Sequence, residues 1–239
     1  METRLRSTLR RIHWSLVLKA GGVAVAWLLF PWYVFLAVAL YFYFVPLFHP
    51  SKLLFPFLIF LFLALESPLN LGFALLLGSL FYVILGIKDL ILIDRRSAYD
   101  ILTLTLIFLL DIWFFFSFGD SGGYSAAVSA LLLSGVVSFL FWRSLAYAHP
   151  HWLSPQEARR MRMVSGAAWF FVSQLSLVVL FLPISALFQA ILVFFLSAVV
   201  LALLSLHLES ALTRNRVLVY FSATFVFLVA VFGFLSWSP

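Results

Sequence analysis

The chain has 239 residues, of which 65% are hydrophobic and only 10% charged, with fifteen Lys and Arg against nine Asp and Glu. A water-soluble domain carries about a quarter charged residues, so an ordinary aqueous fold is excluded. So are disorder, which needs low hydrophobicity, and thiol, disulfide or cysteine-zinc chemistry, since there is no cysteine. Mean hydropathy is +1.14, and twenty-nine phenylalanines exceed what one core of this size can bury, which makes lipid the expected solvent.

Runs that can cross ~30 Å of hydrocarbon at ~1.5 Å per helical residue lie at 14–30, 32–48, 53–66, 69–93, 98–118, 124–147, 164–182, 185–208 and 215–237. They are continuously apolar, whereas barrel strands would alternate and be half as long. The expected fold is therefore all-α: a polytopic transmembrane helical bundle of about nine spans, forming a single integral-membrane domain over 1–239. Spans one and two are short and separated only by Pro31-Trp32, and span three has 14 residues with Pro56 in its first turn. Eight crossings plus one re-entrant or interfacial segment is the alternative.

Span four is expected to open at Ser67-Pro68 and carries Gly72, Ser79 and Gly86 at seven-residue spacing. Span five follows the capping-box spacing Ser97-Ala98-Tyr99-Asp100. Span six carries an unbroken small-residue stripe, Ala126, Ala130, Ser134 and Ser138. Ser154-Pro155-Gln156-Glu157 combines a cap serine, a first-position proline and a third-position glutamate ahead of span seven. Span eight offers Ala186 and Ala190, then Ala198 and Ala202. Lipid gives helices no hydrophobic reason to meet, so small residues that allow close approach mark interfaces. Spans four, six and eight are thus expected at the centre, with the Phe-rich faces of spans three, five and eight turned to lipid.

With nine crossings, all fifteen Lys and Arg map to the side of the N-terminus or within a few residues of it. Positive residues in short loops stay in the cytoplasm, which places the N-terminus inside and the C-terminus outside. The implied location is a membrane, multi-pass, and the cytoplasmic membrane in a prokaryote. The basic charge then reads as a retention signal and a contact with anionic headgroups, not a nucleic-acid surface. Trp14, Tyr99, Trp142 and Tyr147 are expected in an inner aromatic belt, and Trp27, Trp32, Tyr33, Tyr124 and Trp237 in an outer one.

One acid stands apart. Asp111 is thirteen residues into span five, ~20 Å along the helix, where a charge costs ~2.5–3.5 kcal/mol on insertion scales. It needs a partner, water or a proton. Glu66 and Asn70 at the turn between spans three and four, and Asp120 in the next loop, are the polar residues expected nearest it. Together the four form a candidate ion or proton site; an aspartate holding helices together through hydroxyl partners is the structural alternative.

On the inner side, Arg95, Arg96, Arg143, Arg159, Arg160 and Arg162 are candidates for binding a phosphate or lipid headgroup, because guanidinium forks match phosphate. His149, His151, His207 and Glu209 are weak metal candidates, lacking a His-Glu-x-x-His pair. Gly119-Asp120-Ser121-Gly122-Gly123 resembles the pentapeptide around the nucleophile of trypsin-like serine proteases and, more loosely, of rhomboid intramembrane proteases. A nucleophilic serine needs an adjacent base, and all five histidines map to the opposite side, so the segment reads as a turn and helix cap.

Three functional classes follow. The first is a non-catalytic membrane subunit, scaffold or assembly factor, with a membrane-protein partner or a second copy of itself. The second is a small transporter or channel for a proton, cation or small cationic solute using Asp111. The third is a membrane-embedded enzyme acting on a lipid phosphate at the inner face. No catalytic residue is assigned and no cofactor is expected.

Overall fold

The computed structural model describes residues 14–45, 50–88, 95–118, 124–148, 155–208 and 210–234. Among them the chain forms nine helices and no strand: α1 (Trp14–Leu29), α2 (Trp32–Phe44), α3 (Pro50–Glu66), α4 (Leu71–Lys88), α5 (Arg95–Phe118), α6 (Tyr124–Ala148), α7 (Pro155–Leu180), α8 (Ala186–Leu208) and α9 (Arg214–Phe234). The fold is an all-α helical bundle. Six helices, α4 to α9, are long and apolar enough to cross a membrane, and α1 to α3 are shorter apolar helices. The 16 residues of α1 and 13 of α2 extend ~24 and ~20 Å, short of a ~30 Å hydrocarbon layer.

Local chemistry sets the helix ends. Pro31 stands at the cap position of α2 with φ −59°, where its missing N–H leaves no helical bond unmade. The Asn70 side-chain carbonyl accepts the Phe73 amide at 2.8 Å, so Asn70 caps α4 and the helix opens later than Ser67-Pro68 suggests; the Ser67 hydroxyl instead donates to the Leu63 carbonyl at 2.6 Å, at the end of α3. α5 begins at Arg95, which puts Ser97 inside the helix and not at its cap. Pro155 is the first residue of α7, as its fixed φ favours. α8 closes with bonds from Ala211 N–H to Leu206 and from Ser210 N–H to His207, with Ser210 at φ 55°; this paired pattern around a left-handed residue is a Schellman motif. The buried Gln189 amide donates to the carbonyls of Val179 and Leu182, both at 3.1 Å, covering acceptors that the C-terminus of α7 leaves open.

The helices form two compact units, Met1–Leu102 and Thr103–Pro239. In the first, α1 packs on α2 and α4, and α3 packs on α4 and α2. The close approach is at Gly78, where an added Cβ would lie 3.2 Å from the Ala24 Cβ and 3.5 Å from the Ala20 carbonyl oxygen. The expected seam of Gly72, Ser79 and Gly86 is not the contact: Gly72 and Ser79 are exposed. Two rings of α3 are also turned inward, while Phe62 stays exposed. Phe57 and Phe60 are fully buried, with Tyr43 stacked on Phe57 at 3.9 Å and 2° and Phe60 against Phe81 at 5.5 Å. Trp27 is buried too, and its indole N–H donates to the Ala64 carbonyl of α3 at 2.7 Å. It therefore ties α1 to α3 instead of standing in an aromatic belt; Tyr99 is also buried.

In the second unit α7 packs on α6 and α8, and α9 on α8. The small-residue stripe of α6 is the α6–α7 seam: Ala126, Ala130, Ser134 and Ser138 are all buried, and the Ser134 and Ser173 hydroxyls meet at 2.8 Å. Phe195 stacks on Phe227 at 3.8 Å to join α8 and α9, and Phe108 meets Phe194 at 4.9 Å to join α5 and α8. Phe114 and Phe115 of α5 are fully buried, against the expectation that this helix turns its rings to lipid, while Phe116 is exposed as expected.

Candidate functional site

Asp111 lies in the second unit, near the middle of the apolar length of α5, with 0% exposure. Neither carboxyl oxygen has a hydrogen-bond partner among the described residues. The helices of this unit supply no counter-charge at that depth. From Tyr124 to Trp142 in α6, Met163 to Leu180 in α7, Ala186 to Leu206 in α8 and Val217 to Phe234 in α9, the sequence holds only Tyr124 and Tyr220 as titratable groups. Asp111 is three residues beyond Phe108 on α5, and Phe108 meets Phe194 of α8 at 4.9 Å.

Other polar groups share this condition. The hydroxyls of Thr103 on α5, Ser138 on α6, Ser176 on α7 and Ser197 on α8 are buried without a hydrogen-bond partner. With Ser165, also on α7, each helix of the unit except α9 thus contributes at least one such hydroxyl. A buried polar group left unpaired costs ~1–3 kcal/mol, which sets these positions apart from the satisfied pair Ser134–Ser173. In that pair each hydroxyl also reaches a carbonyl of its own helix, Leu131 at 2.8 Å and Trp169 at 2.6 Å. Three contacts share two protons, so one serine donates across the seam while the other bonds back.

The expected companions of Asp111 are distributed differently. Glu66, exposed at the end of α3, and Asn70, engaged as a helix cap, belong to the first unit. Asp120 lies outside the described residues, as does the whole segment 119–123.

The basic candidates divide in the same way. Arg95 and Arg96 form the first turn of α5. Arg143 lies over the rings of Phe139 and Trp142 at 5.8 and 5.9 Å, a cation–π arrangement. Arg159, Arg160 and Arg162 are exposed in the first turns of α7. An Arg160 guanidinium nitrogen meets His207 Nε2 at 3.1 Å. Guanidinium only donates, so this contact needs the lone pair on Nε2 and places the His207 proton on Nδ1. His149, His151 and Glu209 fall outside the described residues, and among those described no three His, Asp or Glu are grouped to hold a metal. Beside His207, a groove of ≈ 420 Å³ is lined by Leu206, Asn215, Arg216, Val219 and Tyr220, with Arg216 donating to the Ala211 carbonyl at 3.1 Å.

Composition hides the role of Lys88, a residue that reads as one more retention charge. It is 2% exposed, donates from Nζ to the Tyr43 carbonyl in the last turn of α2, and lies 5.3 Å from the Tyr43 ring centroid. A cation is favoured at a helix C-terminus by the free carbonyls and the dipole, so Lys88 joins the ends of α4 and α2. The other group missed from sequence is Gln189, whose signal was its place just inside α8, after a tight proline turn.

No protein-family model, no curated protein and no solved structure matches this chain.

Proposed function

We propose that the chain is a non-catalytic, multi-pass membrane subunit, held with its basic ends toward the cytoplasm and in contact there with anionic headgroups. One pattern carries this reading: the buried polar side chains with assigned partners are used to join helices. Trp27 bonds α1 to α3, Lys88 bonds α4 to α2, Gln189 bonds α8 to α7, and Ser134 meets Ser173 between α6 and α7. Such bonds fix a helix arrangement, which is what a scaffold or assembly subunit requires.

Orientation is supported by the pairing of like ends. Lys88 and the C-terminal turn of α2 meet in one unit, and Arg160 and His207 meet in the other, as alternating crossings with cationic loops on one side demand. The exposed Arg159, Arg160 and Arg162 suit a phosphate-rich surface.

The partner is another membrane protein or a second copy of the chain. Within the second unit, α9 carries the least-covered apolar surface, with Val231 alone buried among its described residues, and is the helix expected to meet it. The chain is purified in lipid nanodiscs and its mass measured, with crosslinks mapped from photoreactive residues along α9. A stoichiometric assembly crosslinked through α9 supports the reading. A monomer with no protein crosslink from α9 refutes it.

A further inference from the structure

We propose that Asp111 is a proton-exchange site, loaded and unloaded by water that reaches it through the second unit along the α5–α8 seam. The proposal goes beyond the subunit reading and does not depend on it.

The argument starts from Asp111 itself, which is fully buried with both oxygens unpartnered. In the helices of its own unit, no Lys, Arg, His, Asp or Glu occurs at its depth. An acid so placed is paired, hydrated or neutralised by a proton, and the described residues supply no pair. Full burial also limits the ligand to something small. A hard metal cation takes about six or more oxygen ligands; the carboxylate brings two, and no metal-holding group of His, Asp or Glu is present among the described residues. The proton is the ligand that fits.

The surroundings supply a route. The short connections within this unit make successive helices antiparallel, so α5 and α8 run in opposite directions. On that basis Asp111, three residues past Phe108, and Ser197, three residues past Phe194, lie on opposite sides of the Phe108–Phe194 ring contact, each ~4.5 Å along its helix. The Ser197 hydroxyl is fully buried and unpartnered. Thr103, two turns from Asp111 toward the start of α5, continues the series toward the end that bears Arg143, Arg160 and His207. Groups of this kind hydrogen-bond to water once it enters, and buried water makes two to four such bonds. The ring pair is then the closed point between the acid and the hydroxyls. Unloading transfers the carboxyl proton to an entering water, leaving carboxylate and hydronium; loading is the reverse transfer. No oxidant or co-reactant is involved.

The test uses the wild-type chain in proteoliposomes. Dicyclohexylcarbodiimide, which enters membranes and adds to a protonated carboxyl to leave a stable N-acylurea, is compared with a water-soluble carbodiimide plus glycine ethyl ester, and the adducts are mapped by mass spectrometry. Asp111 takes the first reagent and not the second, and its labelling declines reversibly as pH is raised. Absent or pH-insensitive labelling overturns the proposal without recourse to any variant. Protection by Na⁺ or K⁺ at constant pH also overturns it, in favour of a metal cation. Phe108→Ala, by removing one ring of the closed point, produces a proton leak reported by a trapped pH dye, and adding Asp111→Asn abolishes that leak. An equal leak in the single and double variants, or no leak from Phe108→Ala, shows that protons do not pass by way of this acid.

Discussion

Replacing Gly78 by alanine tests the packing of the first unit against a built-in control. In the middle of α4 the new Cβ would lie 3.2 Å from the Ala24 Cβ and 3.5 Å from the Ala20 carbonyl oxygen, whereas carbon atoms pack best at ~3.5–4.0 Å. The obstructing atoms are a methyl fixed to the backbone and a backbone oxygen, so no rotamer change relieves them; α1 and α4 must separate by a few tenths of an ångström. Overpacking of this kind costs ~1–3 kcal/mol. Opposing it, Gly to Ala inside a helix gains up to ~1 kcal/mol. Gly21, on α1, isolates that gain, because an added Cβ there meets nothing within 4 Å and the position is exposed. The propensity contribution cancels between the two variants, leaving Gly78→Ala less stable than Gly21→Ala by ~1–3 kcal/mol. Unfolding in mixed micelles on titration with sodium dodecyl sulfate, followed by circular dichroism, measures the difference. Equal stability, or a more stable Gly78→Ala, would refute the close α1–α4 approach.

In the second unit, Ser134→Ala and Ser173→Ala should each be mild, with a double-mutant coupling of ~0.6 kcal/mol and at most ~1.7, read by the same titration; zero coupling would mean the hydroxyls do not meet. Gln189→Leu keeps the bulk but leaves the Val179 and Leu182 carbonyls without their donor, and should destabilise by ~1–3 kcal/mol. Faster amide exchange confined to the last turn of α7 and the first of α8 would locate the loss at that hairpin, while an unchanged exchange pattern would argue against the cap.

Much of the architecture is legible in the residues because continuous apolar length is a backbone requirement. A spanning segment must satisfy its own N–H and C=O groups, so helix order emerges from hydropathy, while proline chemistry marks the tight turn at Pro31 and the start of α7 at Pro155. The stripe Ala126, Ala130, Ser134 and Ser138 is legible for a related reason: only small side chains permit the approach that α7 makes. What hydropathy does not encode is the direction each face points. Lipid tails are as apolar as a protein interior, so Phe57, Phe60, Phe114 and Phe115 satisfy the solvent equally well on either side, and the structure turns them inward. The same ambiguity conceals Trp27, whose N–H finds a carbonyl in α3 instead of the interface, and makes Gly78, not the seven-residue series of Gly72, Ser79 and Gly86, the point of contact. Asp111 was visible as a carboxyl deep in an apolar run. The hydroxyls of Ser176 and Ser197 were not, because a serine in such a helix ordinarily bonds back to its own backbone, as Ser79 does to Leu75.

Both units bond some buried polar groups between helices, but among the described residues only the second also encloses hydroxyls and a carboxyl without a partner, and this bears on where motion belongs. In the first, the Trp27 indole and the Lys88 ammonium each end on a backbone carbonyl of another helix, so separating α1 from α3 or α4 from α2 exposes both a donor and an acceptor to hydrocarbon. In the second, Thr103, Asp111, Ser138, Ser165, Ser176 and Ser197 are enclosed with no bond to lose, and every such hydroxyl or carboxyl among the described residues falls in Thr103–Pro239. Opening a seam beside them sacrifices ring and aliphatic contacts but offers unpaired groups to water, which lowers the free energy of the opened state relative to that of an all-apolar seam. Rigidity therefore belongs to α1–α4. Hydrogen exchange should show the α5–α8 seam admitting water first, and uniform protection across both units would contradict that division.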